Sequence, residues 1–123
     1  MVLTSQTLVA FIGVSDLKRA QQFYGRTLGL SLRDESPFAL VAGVGETMLR
    51  ITAVARPAAA EYTVLGWRVA DLPATMERLS SSGVQFIRYE GMEQDDLGIW
   101  TAPSGARVAW FCDPDGNVLS LTA

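Results

Sequence analysis

From residue 8 to residue 14 the chain reads Leu-Val-Ala-Phe-Ile-Gly-Val, an apolar run rich in branched side chains that predicts a β-strand. The period then lengthens. Leu17, Ala20, Phe23, Tyr24 and Leu28 recur at helical spacing behind Asp16, whose carboxylate suits an N-cap, and Gly29 offers a left-handed stop. Short stretches at residues 31–33, 38–42 and 47–54 each predict a further strand. The unit is βαβββ.

The same order then recurs. Val14-Ser15-Asp16-Leu17 returns as Val69-Ala70-Asp71-Leu72, and Leu28-Gly29-Leu30 is answered by Gly83-Val84, with Arg33 and Arg88 at the same offset. The closing stretch Met48-Leu49-Arg50-Ile51-Thr52-Ala53 matches Val118-Leu119-Ser120-Leu121-Thr122-Ala123 at a larger offset. The second copy therefore carries an insertion, placed most simply within residues 91–105. Asp71 caps the second helix, Pro73 sits in its first turn, Leu72, Met76 and Leu79 form its stripe, and Gly83 ends it. Strands are expected at 84–89, 107–112 and 118–122, with 97–101 as a possible addition. The expected organisation is one domain, 1–123, made of module 1–54, linker 55–60 and module 61–123.

Composition narrows the function. Hydrophobic residues make up 49% and charged residues 19%, as a globular core requires. A net charge of −3, with no run of Lys or Arg, argues against a nucleic-acid partner. No apolar stretch approaches the length of a membrane span, so no membrane partner is expected and a cytoplasmic location is. One Cys excludes an internal disulfide. The chain has no histidine. Mechanisms built on a His base, a Ser-His pair or a His metal site are thereby excluded.

Val14–Gly29 (VSDLKRAQQFYGRTLG) and the Asp113-Pro114-Asp115-Gly116-Asn117 turn, set in a doubled βαβββ chain, resemble the vicinal-oxygen-chelate superfamily of glyoxalases, extradiol dioxygenases and bleomycin-resistance proteins. The resemblance covers nearly the whole chain. It implies an α+β fold, with two tandem βαβββ modules forming a cupped mixed sheet around one cavity and the helices on the outer face. It also implies pairing into a homodimer. In such proteins four ligands reach one metal: one lies seven residues before each capping Asp, and one stands in the last strand of each module. Carried onto this chain, those positions hold Val9, Val64, Arg50 and Ser120. Valine has no lone pair to give, arginine is a fixed cation, and serine is a weak neutral ligand. No metal and no cofactor are therefore expected.

Strand parity is consistent with that placement. If positions 9, 50, 64 and 120 face a cavity, Leu8, Ala10, Ile12, Leu49, Ile51, Leu65, Trp67, Leu119 and Leu121 face the helices, and all of them are apolar. The opposite set includes Phe11, Arg50, Thr52, Tyr62, Arg68, Ser120 and Thr122, the mixed lining typical of a ligand pocket. Arg50 is a candidate for holding an anionic or carbonyl group, unless it pairs with a nearby carboxylate. Phe11, Phe38, Tyr62, Trp100 and Trp110 are candidates for stacking on a flat ligand, with Arg68 and Ser120 beside them. Residues 92–100 carry Glu93, Asp95 and Asp96, read as a solvated acidic loop able to act as a lid. Cys112 has no evident local partner and reads as a buried structural thiol. The sequence thus points to a binding protein for a small aromatic or amphipathic molecule, serving sequestration or resistance. A lyase, isomerase or dioxygenase-type enzyme with an atypical or metal-free site is the alternative.

Overall fold

In the computed structural model, which describes residues 2–123, the opening apolar run becomes strand β1 (Val9–Val14) and pairs in parallel with β4 (Thr47–Ala53). Parallel neighbours need a crossover. It comes from helix α1 (Leu17–Ala20) and its continuation over Gln21–Thr27. Strand β3 (Ala39–Val44) lies antiparallel to β4, and β2 (Leu32–Glu35) covers the edge of β3, giving the order β1-β4-β3-β2.

The plan repeats with β5 (Thr63–Arg68), α2 (Leu72–Ser81), β6 (Trp100–Thr101), β7 (Arg107–Cys112) and β8 (Val118–Thr122) in the order β5-β8-β7-β6. The chain divides into two units, Met1–Ala58 and Ala59–Ala123. The architecture is α+β, two tandem modules of one kind. No helix among the described residues is long and apolar enough to cross a membrane.

Both helices start as their sequences dictate, and α2 also stops where its glycine predicts. The Asp16 carboxylate accepts the Arg19 N–H at 3.1 Å, and that of Asp71 accepts the Ala74 N–H at 3.0 Å. At the far end of α2, Gly83 takes φ +98°, the Val84 N–H reaches the Leu79 carbonyl and the Gly83 N–H that of Ser80, both at 3.0 Å. This double closure satisfies the orphan carbonyls of the last turn.

Alternation along β1, β4 and β7 sorts each sheet into two faces, while the central stretches of β3 and β8 are buried on both. In the first unit Ile12, Leu40, Leu49 and Ile51 are buried on one face, and Ala20 and Tyr24 of the helical segment are buried as well. In the second unit Ala109, Phe111, Leu119 and Leu121 form the buried face, and Phe86 meets Phe111 edge-on at 5.7 Å. Withdrawing a large apolar side chain from water contributes about 1.5–3 kcal/mol, so these rows are what hold each module together.

Four expectations about the elements themselves need correction. The first helix is α-helical only to Ala20. Beyond it the turns widen, and the Leu28 N–H reaches back five residues to the Phe23 carbonyl at 2.9 Å. Residues 84–89 form no strand. Their one bond to β7 runs from the Ile87 N–H to the Trp110 carbonyl at 2.8 Å, and the side chain of Gln94 occupies places that ladder partners would otherwise take. Only Trp100 and Thr101 of residues 97–101 pair as a strand, because Asp95 bends the preceding backbone into a turn. Leu8 does not face the helix. It lies ahead of β1, exposed, with only its carbonyl engaged, by the Met48 N–H.

Candidate functional site

In the second unit, β6 and β7 bring two tryptophans to one face. Trp100 is paired with Val108, and Trp110 stands two residues further along β7, so both indoles leave the sheet on the same side. Their ring centres are 6.1 Å apart, with the planes tilted by 37°. Tyr89 meets Trp110 edge-on, centre to centre 5.4 Å at 84°. This is the favourable edge-to-face arrangement of aromatic quadrupoles. The three rings line one side of an open groove of about 890 Å³, most of whose other lining residues are exposed. The rest of the lining comes from the loop Glu90–Glu93 and from Glu61, Tyr62 and Thr63, which lead into β5.

The loop wall is held by internal bonds. The Gln94 carboxamide accepts the Tyr89 N–H at 2.7 Å and donates to the Ile87 carbonyl at 2.9 Å and the Gly98 carbonyl at 2.7 Å. The Arg88 guanidinium donates to the carbonyls of Asp95 and Asp96 at 2.6 and 2.8 Å. Asp95 itself accepts the Leu97 and Ile99 N–H groups at 3.0 and 2.8 Å, a turn-building role. Partial burial pushes the Tyr89 phenol above its ordinary value of 10.0, so at neutral pH it stands in the wall as a neutral hydroxyl.

The residues singled out from the sequence are distributed as follows. Tyr62, Trp100 and Trp110 line this cavity. Ser120 and Arg68 share the tryptophan-bearing sheet face but do not line it: Ser120 is buried opposite Gly66 and Trp110, and Arg68 is exposed opposite Thr122. In the first unit, Phe11 lies 64% exposed beside Arg50, and Phe38 lies 69% exposed where β2 turns into β3. Arg50 has a carboxylate partner. Its guanidinium is 3.1 Å from Glu35, whose other oxygen is held by Arg33 at 2.8 Å. These cations keep the Glu35 carboxyl below its ordinary value of 4.5.

Val9 and Val64 are each about two-fifths exposed on their strands. Among the described residues no three His, Cys, Asp or Glu side chains stand close enough together to hold a metal ion. Cys112 departs from expectation: it is exposed, because it shares the outward parity of Trp110 while Phe111 takes the buried side. Its thiol is nonetheless held above the usual value of 9.0, by desolvation first and by the Asp113 charge second.

Tyr89, Met92, Glu61 and Glu90 belong to the cavity and carried no usable signal in the sequence. Tyr89 falls in a predicted strand that does not form, and the others lie in loops that parity cannot place. The acidic stretch within residues 92–100 is the pointer that the sequence offers to this loop.

The chain belongs to the Glyoxalase/Bleomycin resistance protein/Dioxygenase superfamily, whose family model matches residues 6–121. Among solved structures it is similar to a member of that superfamily from Sphaerobacter thermophilus DSM 20745, at 24% identity, 98% coverage of both chains and a TM-score of 0.74. It also resembles a glyoxalase/bleomycin resistance protein from Streptomyces sp. CB03234, at 25% identity and a TM-score of 0.67, covering 96% of this chain and 100% of that one. A third similar structure is TnmS3, an antibiotic binding protein from the same Streptomyces strain, at 24% identity, 98% and 97% coverage and a TM-score of 0.67. No curated protein matches.

Proposed function

We propose that this protein binds a small, flat aromatic molecule in the cavity of its second unit and sequesters it in the cytoplasm without chemical turnover. The observation that carries this reading is the wall made by Trp100, Trp110 and Tyr89 around a space of about 890 Å³, within the range of drug-sized sites. Rings held at fixed angles by one another and by a sheet lose little freedom when a planar ligand docks, so stacking is obtained at low entropic cost. Similarity to an antibiotic binding protein is consistent with this reading, although the shared fold alone would not carry it.

A metal does not fit the residues at the positions where the fold family would place its ligands. Val9 and Val64 offer no donor, the Arg50 cation is already paired with Glu35, and Ser120 supplies a single neutral hydroxyl. The function proposed here therefore runs through no metal.

Titration with planar tricyclic compounds, followed by tryptophan fluorescence and thermal melting, tests the proposal. At about 100 times Kd a ligand adds roughly 2.7 kcal/mol, which for a chain of this size raises Tm by roughly 10 °C. Trp110→Ala should abolish both the quenching and the shift. A set of flat aromatics that neither quenches nor stabilises the protein overturns the reading.

A further inference from the structure

We infer that the ligand of this cavity is a planar cation. This rests on the binding reading above and adds its charge. The lining includes the carboxylates of Glu61, Glu90 and Glu93 and no lysine or arginine. Among the described residues none of the three takes part in a salt bridge, whereas Glu35 in the first unit is compensated by two arginines. They are not gathered into a metal-binding cluster either, since no such group exists among the described residues. They come from two stretches of chain, Glu61 from the one leading into β5 and Glu90 with Glu93 from the loop before β6.

The aromatic wall has the same preference. The face of an indole or phenol ring carries the negative end of its quadrupole, so a positive charge spread over a flat ligand is attracted by the rings that stack on it. The exposed, uncompensated carboxylates on the rim of the same groove add a field of the same sign, one that salt screens. An anionic ring system would meet both terms as repulsion, and a neutral one would gain from neither. Stacking area alone does not distinguish the three. Charge does.

The test uses three flat tricyclic probes of similar size: proflavine as the cation, acridone as the neutral molecule and anthracene-2-carboxylate as the anion. At low ionic strength proflavine should bind the intact protein at least tenfold more tightly than acridone, and the carboxylate should not bind. The preference should shrink several-fold when salt is raised from about 0.01 M to 1 M, as the Debye length falls from roughly 30 Å to 3 Å. The triple variant E61Q/E90Q/E93Q should bring proflavine to within about threefold of acridone. The variant D34N/E46Q/E77Q makes the same change in net charge outside the cavity lining and should leave the preference intact.

Acridone binding as tightly as proflavine, with loss of both in Trp110→Ala, would overturn the cationic assignment and leave the aromatic pocket standing. Equal losses in the two triple variants would reduce the preference to general attraction by an acidic protein, and would overturn it as well. Failure of all three probes would count against the pocket itself.

Discussion

Gln94 is the residue whose removal most directly tests how the cavity is built. One side chain supplies an acceptor to the Tyr89 N–H and two donors, to the carbonyls of Ile87 and Gly98. Its orientation is fixed, because an N–H must face the oxygen and carbonyls must face the nitrogen. Gln94→Ala deletes these bonds and leaves half-buried or buried backbone groups to find water through a loosened wall. At about 1 kcal/mol per bond, and with partial resolvation, the loss should be about 2–3 kcal/mol. For this length that is a fall in Tm of roughly 8–12 °C, measurable by urea or thermal unfolding with tryptophan fluorescence.

Gln94→Glu separates shape from hydrogen bonding. Ionised, the new carboxylate keeps the Tyr89 bond but sets a negative oxygen against two carbonyls, so its folded pKa must lie above the unfolded value of about 4.3. The folded state is then relatively favoured below that value, and stability is lost as pH rises through the folded pKa. The variant should approach the wild type near pH 4 and fall behind it by pH 7. A cost under about 0.5 kcal/mol for Gln94→Ala, or a Gln94→Glu penalty that is flat between pH 4 and 8, would refute the account.

Further substitutions test other parts of the molecule. A Cβ at Gly66 would stand 2.6 Å from the Ser120 Oγ and 3.2 Å from its carbonyl oxygen, so Gly66→Ala should cost about 1–3 kcal/mol in chemical unfolding. Ser120→Ala in the same chain should restore part of that, a coupling an additive pair would not show. The Thr52 Oγ1 is buried with no partner, so Thr52→Val keeps the volume, removes an unsatisfied group and should stabilise by about 1 kcal/mol. Destabilisation on calorimetry would mean the hydroxyl is bonded after all. Glu35, whose pKa is lowered first by Arg33 and then by Arg50, contributes stability that is present above its ordinary value of 4.5 and lost as pH falls through its folded value. The stability gap between wild type and Glu35→Gln should accordingly close on acidification, and a gap that persists at pH 2 would contradict the pairing.

The repeat, the caps and the alternation made most of the fold legible. Asp16 and Asp71 cap helices, Gly29 and Gly83 take positive φ, and the buried rows of β1, β4 and β7 fall at the expected parity, whereas β3 and β8 are buried on both faces. Those features depend on neighbours a few residues apart, which is the range that a pattern encodes. The cavity depends on longer relations. Tyr89 reaches its place through a bond network centred on a side chain five residues further on, and Arg50 finds Glu35 across two strands. Nothing in the spacing of residues 84–89 distinguishes a ladder strand from a segment fastened by a glutamine. Nor does parity show that Arg50 would meet a carboxylate, since Glu35 lies on a strand whose expected end fell at residue 33.

The two modules differ most where the cavity lies. In the first, β2 runs the length of residues 39–42 of β3 and covers that edge with Arg33 and Glu35. In the second, that edge position is taken by β6, which falls in the inserted stretch and covers only Arg107 and Val108 of β7. The part of the β7 edge at Trp110 is thereby left to residues 84–89, which take it with a single bond from the Ile87 N–H. A segment so lightly attached cannot be kept in place by ladder bonds, and the sequence before β6 supplies what is missing: Gln94 fastens it to the turn, and Arg88 fastens the turn in return. The chain between Tyr89 and Gln94 consequently leaves the sheet and borders the same groove as Trp100 and Trp110. On this argument the space arises from a shortened edge strand together with an inserted loop. Lengthening β6, by replacing residues 94–99 with a strand-forming sequence that continues its pairing with β7, should therefore close the cavity and abolish ligand-induced quenching, while the rows of Phe111, Leu119 and Leu121 keep the module folded.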